Sequence, residues 1–456
     1  MENTIKTIIR KYCSRNSFHI EYGGYLFNHF SHGVIALHKL GSPINRLESF
    51  CESYTNHTTL GAKLELPRYN DRFKISNDEE FFNIKGKKIN YLGTIDYLSD
   101  QLKNKFNNDK TKLLQHYVPK LYDGLSATVL HPFISLGYSI DYELGDNTSD
   151  SELIIDALAY LNFSNYSIGF PNYSKDVIKG NNNTISSEDL NFKSNNNNNN
   201  ITNEKFHKIG LDLKSIFLEV RKNGRLTELL NKNYNPNLFD HKIVGEIDQK
   251  IMVLVQFAAD EIEKTVSTLI QNKQFLFNSI QNNWKELYTF LYDTYFSIYS
   301  LSGEKSKGDD FFILHLVTSF WALGRISTIL TQEQKLDLLI TYIKVTVVLY
   351  VIQKCPDFDN NQDNYAFNLS SNSSNDDKII PSWDEMKNYL FYGEGKKIEE
   401  EHDIKIVYSA IDRFRNDKMF SDVCEEKDGI IKSDDQIKKD KFLRLVAARK
   451  LLMLKW

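Results

Sequence analysis

Glu399-Glu400-Glu401-His402-Asp403-Ile404-Lys405-Ile406-Val407-Tyr408-Ser409-Ala410 is the stretch from which the fold is read. Acidic residues crowd its first turn, where the helix dipole favours negative charge. Ile404, Val407, Tyr408 and Ile411 then recur at helical spacing, so the stretch opens a helix. His402 and Lys405 are three positions apart and share a face of that helix. Ile398 and the edge at Ile406 and Ser409 flank this face, so it is expected to be partly buried. A buried lysine loses much of its positive charge, because desolvation penalises the ammonium form. Its neutral amine is a nucleophile that can add carbon dioxide to give an anionic carbamate. A histidine and an anionic oxygen on one helix face are the beginning of a metal site. The alternative is a solvated helix end.

The same periodicity runs through the chain. Only 8 prolines interrupt 456 residues, and windows rich in Leu, Ile, Lys and Glu favour helices over sheet. The expected fold is all-α, a multi-helix globular bundle. Residues 1–171 form the N-terminal helical part of one catalytic domain and residues 206–456 its C-terminal part. Between them, 172–205 is a low-complexity insertion with an asparagine run from Asn195 to Asn200. Such a tract buries too little apolar surface to offset its ordering entropy and is expected to be disordered, as is an Asn/Ser/Asp-rich loop at 357–378.

Composition narrows the function classes. Lys+Arg 56 against Asp+Glu 60 leaves no basic excess for nucleic acid. The cysteines, Cys13, Cys51, Cys355 and Cys424, have no metal-ligand spacing, and no secretory signal opens the chain, so a reducing, cytoplasmic setting is expected. Leu336–Ile352 approaches a membrane span in length, but Asp337 and Lys344 interrupt it, and it reads as a buried core helix with Lys344 a second buried lysine.

Four segments hold histidines in apolar or helical surroundings. Tyr25–Gly41 reads as one helix, with His29 and His32 on a shared face and His38 opposite, toward water. His131 sits within the almost wholly apolar stretch Gly124–Ile140, where Pro132 is expected to bend or end a helix. His315 is flanked by apolar residues, with Thr318 placed to orient it and Trp321 to wall a pocket. A buried histidine must be hydrogen-bonded, paired or metal-bound. Each therefore reads either as a ligand or as a core histidine held by a carbonyl. Tyr138, seven residues beyond His131, shares its face and can meet a substrate or simply pack. No Gly-rich phosphate turn, GxSxG elbow or HExxH occurs.

Asn28-His29 with Ala36-Leu37-His38-Lys39-Leu40-Gly41, then His131-Pro132-Phe133-Ile134, His315-Leu316-Val317-Thr318 and His402-Asp403-Ile404-Lys405, resemble in this order the questin oxidase-like family. The resemblance implies an oxygenase that cleaves rings of polycyclic aromatic, anthraquinone-type polyketides using O2. It implies either a nicotinamide-dependent (NADPH) Baeyer–Villiger-like step without metal, or a mononuclear non-haem iron (Fe2+) centre held by histidines and a carbamylated lysine. The residues carried over to that centre are His29, His131, His315, His402 and Lys405. His32, Phe133, Tyr138 and Trp321 are the expected substrate contacts. Many members have Gly-Pro-Met after the first Asn-His, where this chain has Phe30-Ser31-His32. Four neutral imidazoles leave an iron ion's full charge in an apolar site, which is costly. A carbamate offsets one unit, and Glu399, at i−3 from His402, is the alternative anionic ligand. The partners expected are a small aromatic substrate and O2, with no nucleic acid and no membrane span. A zinc hydrolase built on a lysine carbamate, and a non-catalytic helical interaction protein whose histidines do not converge, are the competing readings.

Overall fold

The structure, a computed structural model, describes residues 2–56, 63–145, 152–166, 198–242, 244–271, 273–302, 311–358, 381–392 and 401–415, with 440, 443, 444, 446 and 447. The 172–205 insertion up to 197 and most of the 357–378 loop lie outside these residues. The described part is all-α, with one two-stranded antiparallel hairpin. The N-terminal half runs α1 (Glu2–Ile8), β1 (Glu21–Tyr22), β2 (Leu26–Phe27), α2 (Phe30–Lys39), α3 (Ile44–Asn56), α4 (Asp78–Asn83), α5 (Tyr91–Asn104), α6 (Lys110–Leu121), α7 (His131–Glu143) and α8 (Glu152–Phe163). The C-terminal half runs α9 (Asn198–Asn223), α10 (Arg225–Asn233), α11 (Glu246–Phe257), α12 (Ala259–Thr265), α13 (Ser267–Gln271), α14 (Lys273–Ser302), α15 (Phe311–Ser327), α16 (Gln332–Ile352), α17 (Trp383–Tyr392) and α18 (Glu401–Arg415).

The core is formed where the halves meet. α15 packs most extensively on α7, α7 on α8, α14 on α15, and α18 on α2. Residues on both sides of α7 are buried from His131 to Glu143, as expected of a helix without a polar face. α16 is buried from Leu336 to Ile352, and among the described residues no helix is long and apolar enough to cross a membrane. Lys344, fully buried in it, is ion-paired with Glu263 of α12. Burial pushes the Lys344 ammonium down to about 7.

Several expected elements are corrected. Residues 25–29 are not helical, because Gly23 and Gly24 turn the chain at φ 58° and 88° and pair Glu21 with Phe27. His38 does not face open water: it is half-buried, its ring edge-on to Tyr142. Pro132 starts α7 instead of ending a helix, since a first-turn residue needs no backbone donor. α9 begins at Asn198, inside the expected insertion, because extending an existing helix costs little once its apolar segment has nucleated it. Gly224, at φ 64°, separates α9 from α10.

Candidate metal centre

Four helices converge with one imidazole each. His29 stands at the N-terminal boundary of α2, His131 opens α7, His315 lies one turn into α15 and His402 opens α18. One ring nitrogen from each lies within 4.8 Å of the others, and all four residues are buried. Local bonds fix the first of them. The His29 backbone N–H donates to the Tyr54 hydroxyl at 3.1 Å, and Asn28 Oδ1 accepts the N–H of Phe30 at 3.1 Å.

Nε2 of His131 is 2.8 Å from Nε2 of His29 and 3.1 Å from Nε2 of His315. Adjacent imidazoles on one ion, at metal–nitrogen distances of ~2.1 Å, stand about 3 Å apart. The other nitrogen of His131, Nδ1, hydrogen-bonds the carbonyl of Thr128, which can only accept. Nδ1 therefore carries the proton, and Nε2 of the neutral ring has a single lone pair. Two imidazole nitrogens meet that lone pair, and a hydrogen bond can satisfy only one of them. A cation between the three nitrogens satisfies all of them, so the donor set fits a metal. Burial lowers the basicity of His29 and His131 well below that of a free imidazole, and neighbouring positive charge adds to it, from Lys405 on His29 and from His315 and Lys405 on His131. Neutral rings are the form that binds metal.

Lys405 is fully buried on α18, one turn from His402, and its charge is felt by His29, His32 and His131. Glu401 is buried as well. Its Oε1 is 3.3 Å from Nδ1 of His29 and 3.4 Å from Nδ1 of His402. A fifth imidazole adjoins the cluster. His32 is edge-on to His29 at 5.7 Å between ring centres and stacked on Tyr138 at 4.9 Å. Its two ring nitrogens and the Tyr138 hydroxyl are buried without a hydrogen-bond partner among the described residues. Trp321 lies against Tyr138 at 4.4 Å between ring centres, tilted by 41°, and donates its N–H to Asp412 at 3.1 Å.

The sequence model of the family described as Questin oxidase-like matches residues 26–410. The chain belongs to this family. No curated protein matches the sequence. The matched span contains all four histidines of the cluster, and membership makes this questin oxidase-like chain an oxidoreductase of the kind that acts on aromatic polyketides.

The structure thus brings His29, His131, His315, His402 and Lys405 into one neighbourhood, with His32, Tyr138 and Trp321 beside it. It does not bring Phe133 there. Two positions past His131, and so on the far side of α7, Phe133 rings against Tyr342 at 6.2 Å. Thr318 does not orient the His315 ring: its hydroxyl reaches the Leu314 carbonyl, and Ser319 bonds the His315 carbonyl instead. Glu399 lies outside the described residues. Glu401 was the missed carboxylate. Its signal was adjacency to His402 in the acidic first turn, which a search at i,i+3 and i,i+4 spacing passes over.

Proposed function

We propose that this protein is an oxygenase that opens a ring of an anthraquinone-type substrate at a mononuclear non-haem iron centre. The observation that carries the reading is the convergence of four buried imidazoles beside a fully buried lysine. The residues that would hold the ion are His29, His131, His315 and His402, with Lys405 as its carbamate. When bound, iron supplies the redox chemistry by which O2 reacts with an aromatic ring.

The chain's own residues do the rest. Once deprotonated, the Lys405 amine adds to the carbon of CO2 and releases one further proton, leaving an anionic oxygen donor. That charge offsets part of the ion's charge in a site buried from solvent. Glu401 adds a carboxylate beside Nδ1 of His29 and Nδ1 of His402. His32 and Tyr138 offer a ring nitrogen and a hydroxyl to the oxygens of a quinone or phenol. Tyr138 and Trp321, in contact at 4.4 Å between ring centres, give an aromatic wall against which such a ring lies, and burial keeps water from the reacting atoms.

Metal analysis and oxygen uptake test this. Purified protein is expected to carry stoichiometric iron and to consume O2 only with a polyhydroxyanthraquinone present. His315→Ala is expected to lose both. Zinc without oxygen uptake supports the hydrolase reading, and a metal-free protein whose activity survives His315→Ala rejects the centre.

A further inference from the structure

We infer that Asp248 is a positioning residue for His131 and acts through a left-handed turn between them. The inference rests on the reading of His131 as a metal ligand. Thr128, Val129 and Leu130 have φ of 43°, 55° and 66°. None is glycine, and two are β-branched, the side chains least tolerated in this region. Three such residues in a row persist only where the surroundings over-determine them, and such places cluster at functional sites.

The surroundings here are specific. The Thr128 backbone N–H donates to Asp248 Oδ1 at 2.8 Å. Asp248 is a buried residue of α11, in the other half of the chain. The Thr128 side-chain hydroxyl lies 3.2 Å from the Tyr160 hydroxyl, which is 3.0 Å from Oε1 of Glu21. Glu21 is paired with Lys88 at 2.9 Å. The carbonyl of the same Thr128 accepts the Nδ1–H of His131. Asp248 and His131 therefore grip the two backbone groups that flank one α-carbon. Without the carboxylate, Thr128 relaxes toward the right-handed region and its carbonyl swings off the imidazole. The single proton of neutral His131 is then no longer held on Nδ1, and a proton on Nε2 blocks that nitrogen as a donor. The turn accordingly sets the tautomer of His131 and aims its lone pair at the centre.

Two readouts test the inference in the full-length protein. The ring-nitrogen NMR shifts of His131, from 15N-histidine labelling of metal-free protein with His131→Gln used for assignment, report the tautomer. A cobalt(II) titration reports affinity and ligand-field spectrum. Wild type is expected to show the Nδ1–H form. Asp248→Ala is expected to populate Nε2–H and to bind cobalt about 10–100-fold more weakly, with an altered spectrum. Asp248→Asn keeps an acceptor oxygen and is expected to restore both. Should Asp248→Ala not fold, Asp248→Leu takes its place, since leucine fills much the same space without an acceptor and leaves the turn as it is. An Nε2–H tautomer in wild type, or an unchanged tautomer in whichever of the folded Asp248→Ala and Asp248→Leu proteins is measured, overturns the inference. A tautomer that shifts in a protein that binds no cobalt keeps the positioning role and removes the metal reading.

Discussion

The two ring nitrogens of His131 have different neighbours, a carbonyl on one side and two imidazoles on the other, and this difference gives the cluster its direction. Glu401 Oε1 lies 3.3 Å from Nδ1 of His29, the nitrogen opposite the one that meets His131, and 3.4 Å from Nδ1 of His402. Carboxylates so placed orient an imidazole and raise its basicity as a ligand, and their loss typically costs 10–100-fold in metal affinity. Glu401→Ala is therefore expected to weaken metal binding by about that factor, read by competition against a chelator of known affinity, with the helical circular dichroism unchanged. An unaltered affinity would mean that the two rings are held by packing alone. The histidines were legible in the sequence because an imidazole inside an apolar run is conspicuous and has to be satisfied. Glu401 and Asp248 were not, since what matters about them is the nitrogen or peptide each touches, and the Asp248 contact spans distant parts of the chain. Phe133 was misplaced for a related reason: nearness in sequence to His131 put it on the wrong side of α7.

Among elements, the α7–α15 crossing matters most, because these two helices carry His131 and His315. They approach at Gly137, where an added Cβ would lie 2.4 Å from the Cβ and 2.7 Å from the Cα of Ala322. Neither contact is a flexible side-chain end, so a helix must move. Overpacking of this kind costs about 1–3 kcal/mol. For a chain of this length that is roughly 1–3 °C in melting temperature, taking about 2.1 cal/mol/K per residue for the unfolding entropy. Gly137→Ala is expected to show this loss in a thermal melt. It is also expected to weaken metal binding, because the shift separates the imidazoles of the two helices. A melt equal to wild type would show that the crossing has slack. The helices themselves were readable from apolar spacing and from proline and glycine punctuation. Their joints were less so. The left-handed turn before α7 has no glycine to announce it, and Pro132 suits the start of a helix as well as its end.

On the scale of the whole molecule, the all-α class followed from few prolines and continuous helical periodicity, whereas the meeting of the two halves could not be read from either half. The cluster draws His29 and His131 from one and His315 and His402 from the other, so a bound ion ties them together. Linkage then gives about 2.7 kcal/mol at a free metal concentration a hundredfold above Kd, or roughly 3 °C, and chelation is expected to lower the melting temperature by that amount. A second global property comes from Glu143 at the end of α7. Its carboxylate accepts the backbone N–H of Leu153 at 2.9 Å and of Ile154 at 3.0 Å, fastening α7 to the start of α8. Burial nevertheless pushes its carboxyl up to about 7, against about 4.3 for an unfolded glutamate. Between these values the folded chain holds a proton that the unfolded chain has released, so this group's contribution to stability falls as pH rises through the window. At about 1.4 kcal/mol per pH unit, the loss from pH 4.5 to 7.5 is on the order of 3 kcal/mol. Glu143→Gln has no such proton and keeps an acceptor oxygen. Denaturant titrations of both proteins at the two pH values are expected to show the variant gaining on wild type by about that amount as pH rises. A difference that stays constant from pH 4.5 to 7.5 would place the carboxyl back in the ordinary range and the helix junction in contact with water.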